Sequence, residues 1–180
     1  MQPREIITAI KEGKIFIYPT DTLYGLGCNA LNREAVEKIR NIKGRDAKPF
    51  SIIAPSIQWI DENLKLDTKI RELIKKYLPG PYTILIPKKN LGDFSHISDN
   101  ELVGVRIPKH EFSSYISKAN VPFITTSVNP SGQPPAITLE GIPIEIKTQV
   151  DIIPAGEVSG KPSTIIFPDG KILERPQKPS

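Results

Sequence analysis

The sequence has 180 residues, 38% hydrophobic and 24% charged, which is the composition of a folded globular protein and excludes a disordered or fibrous chain. The formal net charge of +4, from 24 Lys and Arg against 20 Asp and Glu, favours anionic ligands only weakly. A single cysteine excludes an intramolecular disulfide, and no run approaches the ~20 apolar residues of a membrane span, so we expect one cytoplasmic domain over residues 1–180.

Apolar periodicity and capping residues predict four helices. Residues 3–12 form an apolar stripe that stops at Gly13. Asn32 can cap a second helix that ends at Gly44, and Asp67 can cap a third that ends before residues 79–80, a Pro-Gly pair. A short fourth helix is predicted around residues 112–116.

Short runs of β-branched and aromatic residues predict eight strands. These strands are residues 15–18, 50–54, 82–87, 102–107, 123–128, 150–153, 164–167 and 171–173. Asp169 and Gly170 predict a two-residue hairpin turn between the last two. Strands interleaved with helices and closed by a hairpin predict an α/β or α+β fold with an open sheet of mixed strand directions.

Residues able to bind anions collect at the predicted strand ends. They are Thr20 to Tyr24, Lys43 with Arg45, Arg106, and Thr125 to Asn129. Each has an ordinary structural interpretation alone, as a side-chain-closed turn, a helix end or a surface arginine. Together, three cations with hydroxyl and amide groups can bind a polyanion such as a triphosphate, and an arginine can hold a carboxylate through two hydrogen bonds.

Two familiar motifs fail on their context, and a Ser-His-Asp hydrolase site is no better supported. Residues 25–30 spell a dinucleotide fingerprint, but a polar loop separates them from the strand and no helix starts within them. Residues 156–163 resemble a P-loop, but their glycines are one residue too close and Pro162 stands where a hydroxyl would bind magnesium. His96 and His110 lie in uninformative contexts, and we interpret both as solvated loop histidines instead of general bases.

Six ordered motifs resemble those of the YrdC/Sua5 family. They are PTDTLYGLG at 19–27, KGR at 43–45, PGPYTIL at 79–85, VGVRIP at 103–108, TSVNPSG at 126–132 and PSTI at 162–165. Their order and spacing cover nearly the whole chain and are far more specific than the failed motifs. The resemblance implies an open twisted mixed sheet with flanking helices around a large positively charged cavity, in the short single-domain form without the C-terminal domain of longer members.

The resemblance also implies a nucleotidyltransferase that makes threonylcarbamoyl-AMP and pyrophosphate from L-threonine, bicarbonate or CO₂, and ATP. It implies that ATP is held by Lys43, Arg45, Ser127, Asn129 and Arg175, with Lys43 and Arg45 as the catalytic cations. It implies that threonine is bound by Thr20, Thr22, Tyr24, Arg106 and Ser163. Mg²⁺ is expected with ATP, and its ligands are not assigned.

The implied product serves formation of N6-threonylcarbamoyladenosine next to the tRNA anticodon. The expected partner is therefore a downstream tRNA threonylcarbamoyl-transferase complex, with tRNA contact indirect or weak and no membrane contact. The alternative is a non-catalytic RNA-binding module that uses the basic cavity, although no arginine-rich run or interleaved aromatic platform supports it. The related domain of the hydrogenase-maturation carbamoyltransferase accompanies zinc-finger and acylphosphatase segments, for which this sequence has too few cysteines and too few residues.

Overall fold

The computed structural model describes residues 1–44, 48–90, 92, 94–130, 132–154 and 158–176. The helices in these ranges are α1 (Pro3–Lys11), α2 (Arg33–Lys43), α3 (Ile57–Asn63), α4 (Thr68–Tyr77), α5 (Phe112–Ala119) and α6 (Ile144–Lys147). The strands are β1 (Phe16–Tyr18), β2 (Gly25–Gly27), β3 (Ser51–Ile53), β4 (Tyr82–Pro87), β5 (Leu102–Arg106), β6 (Phe123–Ser127), β7 (Asp151–Ile152), β8 (Thr164–Ile166) and β9 (Ile172–Leu173). None of the helices described has the length and apolar character needed to cross a bilayer.

The strands form one mixed sheet in the order β7-β1-β2-β6-β3-β5-β4-β8-β9. The pairs β1–β7, β3–β5 and β4–β8 are parallel, and the other neighbouring pairs are antiparallel. This architecture confirms the predicted open mixed sheet with flanking helices. All eight predicted strands are present, with ends that differ by at most one residue.

The predicted helix ends are confirmed by their capping contacts. Asn32 accepts a hydrogen bond from the Ala35 N–H at 3.0 Å, and α2 stops at Gly44 in the left-handed conformation with φ of 53°. Asp67 accepts from the Ile70 N–H at 2.7 Å in the same way at the start of α4. Local signals of this kind can be recognised without knowing the tertiary structure.

The sequence does not predict β2, α3 or α6. Residues 25–27 are considered above only as part of a failed dinucleotide fingerprint and of a family motif, whereas they form the strand between β1 and β6. A Cβ on Gly27 would lie 1.9 Å from the Ile124 carbonyl oxygen, so glycine is needed for close approach of β6. Helix α3 has Ile60 as its one buried residue, so its apolar stripe is short.

We expect Gly27→Ala to destabilise the protein by about 3 kcal/mol or more, because the added methyl group must displace backbone and not a flexible side chain. Thermal denaturation should show a loss of about 6–12 °C in Tm. Gly92→Ala is the control, since a Cβ there has no heavy atom of the described residues within 4 Å. Equal Tm values for the two variants would contradict the close approach of β2 and β6.

The two faces of the sheet differ in polarity. One face packs against α2 and α4 through the larger hydrophobic cluster, which includes Ile39, Ile52 and Ile74. The other face packs against α1 and α5 through a smaller cluster in which Tyr18 stacks on Phe112 with ring centroids 4.3 Å apart. Beyond that cluster, alternation along the strands places polar side chains on the same face, which we call the polar face: Ser51, Thr83, Arg106, Thr125 and Ser127.

Candidate active site

The loop after β1 is closed by the Thr20 side chain. Its hydroxyl lies 2.7 Å from the Leu23 carbonyl oxygen and accepts from the N–H groups of Thr22 and Leu23 at 3.1 and 3.2 Å. The hydroxyl of Thr22 lies 2.9 Å from that of Thr20. Since the one proton of the Thr20 hydroxyl is donated to Leu23, Thr22 donates to Thr20 and keeps its lone pairs for a donor on the other side.

That donor is Arg106 at the end of β5. Its Nη2 donates to the Thr22 hydroxyl at 3.0 Å and to Asp21 Oδ1 at 2.9 Å, and its side chain is only 9% exposed. Burial lowers the pKa of the Arg106 guanidinium, and the negative charge of Asp21 opposes that shift. Arg106 Nε is buried and has no hydrogen-bond partner among the described residues, so one donor of this cation is unused.

A second arginine reaches the same site from the end of the chain. Arg175 Nη2 donates to the Ser163 hydroxyl at 2.6 Å, and Arg175 Nε donates to the Ser163 carbonyl at 2.9 Å. The Ser163 hydroxyl also lies 2.7 Å from that of Thr83. Burial of its guanidinium and the nearby charge of Arg106 both lower the pKa of Arg175. Two neighbouring guanidinium groups create a local positive potential, which a bound anion would neutralise.

Lys43 organises the third part of the site. Its buried Nζ donates to the carbonyl oxygens of Ser127 at 2.5 Å and Asn129 at 2.7 Å, and the Asn129 side-chain oxygen lies 3.5 Å away. The Ser127 hydroxyl donates to that same side-chain oxygen at 2.5 Å, and the Asn129 amide donates to the Gln133 carbonyl at 2.7 Å. The structure therefore brings together Lys43, Ser127 and Asn129, whereas Arg45 lies outside the described residues.

Backbone contacts join these parts. The N–H of Val128 donates to the Tyr24 carbonyl at 3.2 Å, next to the β2–β6 pairing. The Thr22 carbonyl accepts from the Gly160 N–H at 2.9 Å and the Ser159 hydroxyl at 3.3 Å. The residues expected to bind threonine and the described residues expected to bind ATP thus belong to one continuous set of contacts.

The sequence does not predict the contacts of several polar residues in this site. Asp21 is expected only as part of a turn closed by side chains, whereas it pairs with Arg106, and Thr83 is treated only as a strand residue. Thr125 lies on the polar face beside the Tyr18 hydroxyl, whose pKa burial raises while the hydrogen bond to Thr125 opposes that shift. The available signal is strand alternation, because Thr83 interrupts an otherwise apolar run in β4 and Thr125 alternates with Ser127 on one face of β6.

The histidines and the cysteine have structural roles in this structure. His96 is half-buried, its Nε2 lies 2.7 Å from the Ala30 carbonyl and its Nδ1 is buried without a partner among the described residues, so the prediction of a solvated side chain is wrong. His110 is also half-buried and accepts the Phe112 N–H at Nδ1, and burial lowers its pKa. Burial raises the pKa of the Cys28 thiol to about 12, which makes it a poor nucleophile.

A large cavity over the polar face stays a prediction. Two surface depressions, of about 430 and 370 Å³, lie instead beside α1 and between α3 and α4. Within the described ranges there is no group of three or more His, Cys, Asp and Glu side chains that could hold a metal ion. The cations and hydroxyl groups described above can bind an anion.

Known proteins resemble this chain over most of its length. The family model Sua5_yciO_yrdC, described as telomere recombination, matches residues 8–175. A protein of Methanocaldococcus jannaschii named "Putative threonylcarbamoyl-AMP synthase" is 40% identical over 168 residues, which cover 91% of this chain and 79% of that protein. A threonylcarbamoyl-AMP synthase of Pseudoalteromonas atlantica is 31% identical over 147 residues, which cover 78% of each protein.

A solved structure shares the fold. The crystal structure of P. abyssi Sua5 complexed with L-threonine superposes with a TM-score of 0.82 at 32% sequence identity. The match covers 93% of this chain but 52% of that one, so this chain spans about half the length of that Sua5 protein. The similarity confirms the twisted mixed sheet and its flanking helices.

Proposed function

This chain belongs to the Sua5_yciO_yrdC family, and we propose that it makes threonylcarbamoyl-AMP from L-threonine, bicarbonate or CO₂, and ATP. Relatives named as that synthase and a similar Sua5 structure that contains L-threonine support the proposal. Within this chain, the observation that carries it is the unused buried Nε of Arg106. A buried cationic donor beside hydroxyl groups suits the carboxylate of an amino acid.

The threonine site would be built around that donor. Arg106 would donate to the substrate carboxylate through Nε, while Thr22 keeps the guanidinium in place. Ser163 and Arg175 would lie on another side of the substrate, and its negative charge would offset the repulsion between the two arginines. Thr20 would act mainly by closing the loop, and Tyr24, buried at the end of the loop, would line the pocket.

The reaction needs two anions to be brought together. The amine of threonine loses a proton and adds CO₂ to give a carbamate, and a carbamate oxygen then attacks the α-phosphorus of ATP. The bond from that phosphorus to the bridging oxygen of the β-phosphate breaks, and pyrophosphate leaves with the electron pair. Cations that neutralise both reactants and hold them in line supply proximity and charge stabilisation, so a nucleophilic side chain is not required.

The ATP site would lie at the end of α2 and β6. Lys43 holds Ser127 and Asn129 in place and adds a positive charge there, and Arg45 and Arg175 would supply further charge to the phosphates. Mg²⁺ would accompany the phosphates of ATP, as it commonly does in nucleotide sites. The described residues contain no group of three or more His, Cys, Asp and Glu side chains that would hold this ion without the nucleotide.

The product is a mixed anhydride that a transferase acting on tRNA would consume. We therefore propose a downstream tRNA threonylcarbamoyl-transferase complex as the partner, with contact to tRNA itself indirect. The alternative of a non-catalytic RNA-binding module is not favoured, because the similar proteins are named as synthases. A single domain and a cytoplasmic location stay predictions of the sequence.

The purified protein should release pyrophosphate from ATP only when L-threonine and bicarbonate are both present. Pyrophosphate is measured in buffer freed of CO₂, with each substrate omitted in turn, and the adenylate product is identified by mass spectrometry. Release that does not depend on threonine would refute the proposal. An RNA-binding module would instead show RNA affinity that falls steeply with salt and no release of pyrophosphate.

A further inference from the structure

Asp21 is the acidic residue of the loop between β1 and β2, and both of its carboxylate oxygens are engaged. Oδ1 accepts from Arg106 Nη2 at 2.9 Å, and Oδ2 accepts from the Lys109 N–H at 2.8 Å. These partners lie 85 and 88 residues further along the chain. The Asp21 side chain therefore links the first loop to the end of β5 and to the segment that follows it.

The burial of this ion pair distinguishes it from the Asp61–Arg71 pair on the surface. The side chains of Asp21 and Arg106 are 12% and 9% exposed, whereas those of Asp61 and Arg71 are 48% and 54% exposed. An exposed pair is screened by water and holds its side chains weakly. A buried guanidinium without a counter-charge is strongly unfavourable, so Asp21 is what keeps Arg106 inside the site when no substrate is bound.

The pair also fixes the orientation of the guanidinium. Asp21 and Thr22 both accept from Nη2, so Arg106 is held through one terminal nitrogen while Nε stays buried and unused. The hydrogen bond from Lys109 prevents the Asp21 carboxylate from turning away from Arg106. The direction in which Nε donates is thus set before a ligand arrives, which lowers the entropy lost on binding.

We propose that Asp21 is a positioning residue that holds the Arg106 guanidinium in the orientation that receives the threonine carboxylate. Asp21 does not contact threonine and acts through Arg106. This inference rests on the proposed function. The competing explanation is that the pair only stabilises the fold, and the two explanations differ in what happens to the two substrates.

The test compares Asp21→Asn and Asp21→Glu with Asp61→Asn, which breaks the exposed pair. Initial rates of pyrophosphate release are measured against threonine at saturating ATP and against ATP at saturating threonine. Asp21→Asn should raise KM for threonine by about tenfold or more, because the guanidinium is no longer held in one orientation. The kcat should stay within about threefold and KM for ATP should not change. Asp21→Glu, which keeps the charge, should raise KM for threonine by less, and Asp61→Asn should behave as the wild type.

A lower Tm for Asp21→Asn with unchanged kinetics, or equal increases in KM for both substrates, would overturn the inference and leave the proposed function standing. Pyrophosphate release by the wild-type protein that does not depend on threonine would refute both the inference and the proposed function. This assay is done before any variant is compared. If Asp21→Asn does not fold, Asp21→Glu decides, since it should raise KM for threonine and not for ATP. A wild-type KM for threonine in that variant would then overturn the inference.

Discussion

Replacing Arg106 with Gln is expected to lower kcat/KM for threonine by about 10²–10³-fold, because it removes a buried cation that pairs with the substrate carboxylate. Arg106→Lys should recover only part of the loss. Lysine keeps the charge but lacks the planar group with which Arg106 contacts Asp21 and Thr22 through one nitrogen and offers Nε to the substrate. The measurement is the initial rate of pyrophosphate release over a range of threonine concentrations.

Loss of Arg106 also leaves Asp21 buried without its counter-charge, so a loss of stability must be separated from a loss of binding. The double variant Asp21→Asn with Arg106→Gln replaces the pair with neutral groups of similar shape and should recover most of the stability. Its kcat/KM for threonine should remain low. Arg71→Gln, which breaks the exposed pair with Asp61, should leave both quantities close to wild type. Recovery of kcat/KM for threonine in the double variant would contradict a role for Arg106 in threonine binding.

The fold could be predicted where its signals are local. The caps at Asn32 and Asp67 are each encoded by a few neighbouring residues. The last hairpin is also encoded locally, but the prediction of a two-residue turn is wrong: Phe167 and Lys171 close a three-residue loop over 168–170, in which Gly170 has a φ of 86°. Strand β2 could not be predicted, because glycines carry no alternating pattern and the strand is defined by how closely β1 and β6 approach it. Helix α3 has a local signal that our prediction misses: Ser56 caps it by accepting from the Trp59 N–H at 3.0 Å, but a helix of seven residues with Ile60 alone buried gives only a short stripe.

The candidate site could be predicted as a set of residues but not as a set of contacts. The motifs identify Lys43, Ser127 and Asn129 as candidate site residues, and hydrogen bonds join these three in the structure. The pairing of Asp21 with Arg106 joins residues 85 positions apart, and nothing in either local sequence indicates it. The role of Arg45 at the phosphates stays a prediction, since that residue lies outside the described ranges.

Replacing Lys43 is expected to raise KM for ATP as well as to lower the stability of the protein. Lys43→Met leaves the Asn129 carbonyl oxygen without its donor, whereas the Ser127 carbonyl oxygen keeps the Asn129 N–H at 3.1 Å, and it should destabilise the protein by about 1–3 kcal/mol. It also removes a positive charge from the proposed phosphate site, so KM for ATP should rise by about 10–100-fold. Methionine keeps the length and much of the volume of the lysine, so the change tests the ammonium group and not packing.

Lys88 provides the matched control, because it is a second buried lysine that donates to a backbone carbonyl, that of Ser98 at 2.5 Å. Lys88→Met should destabilise the protein by about 1–3 kcal/mol and leave KM for ATP unchanged. Urea denaturation gives the free energies of unfolding, and initial rates at saturating threonine give KM for ATP. If both variants lose stability and both keep the wild-type KM for ATP, Lys43 only supports the end of β6. An increase in KM for ATP confined to Lys43→Met would mean that the same ammonium group both holds the Ser127–Asn129 turn and supplies positive charge to the nucleotide.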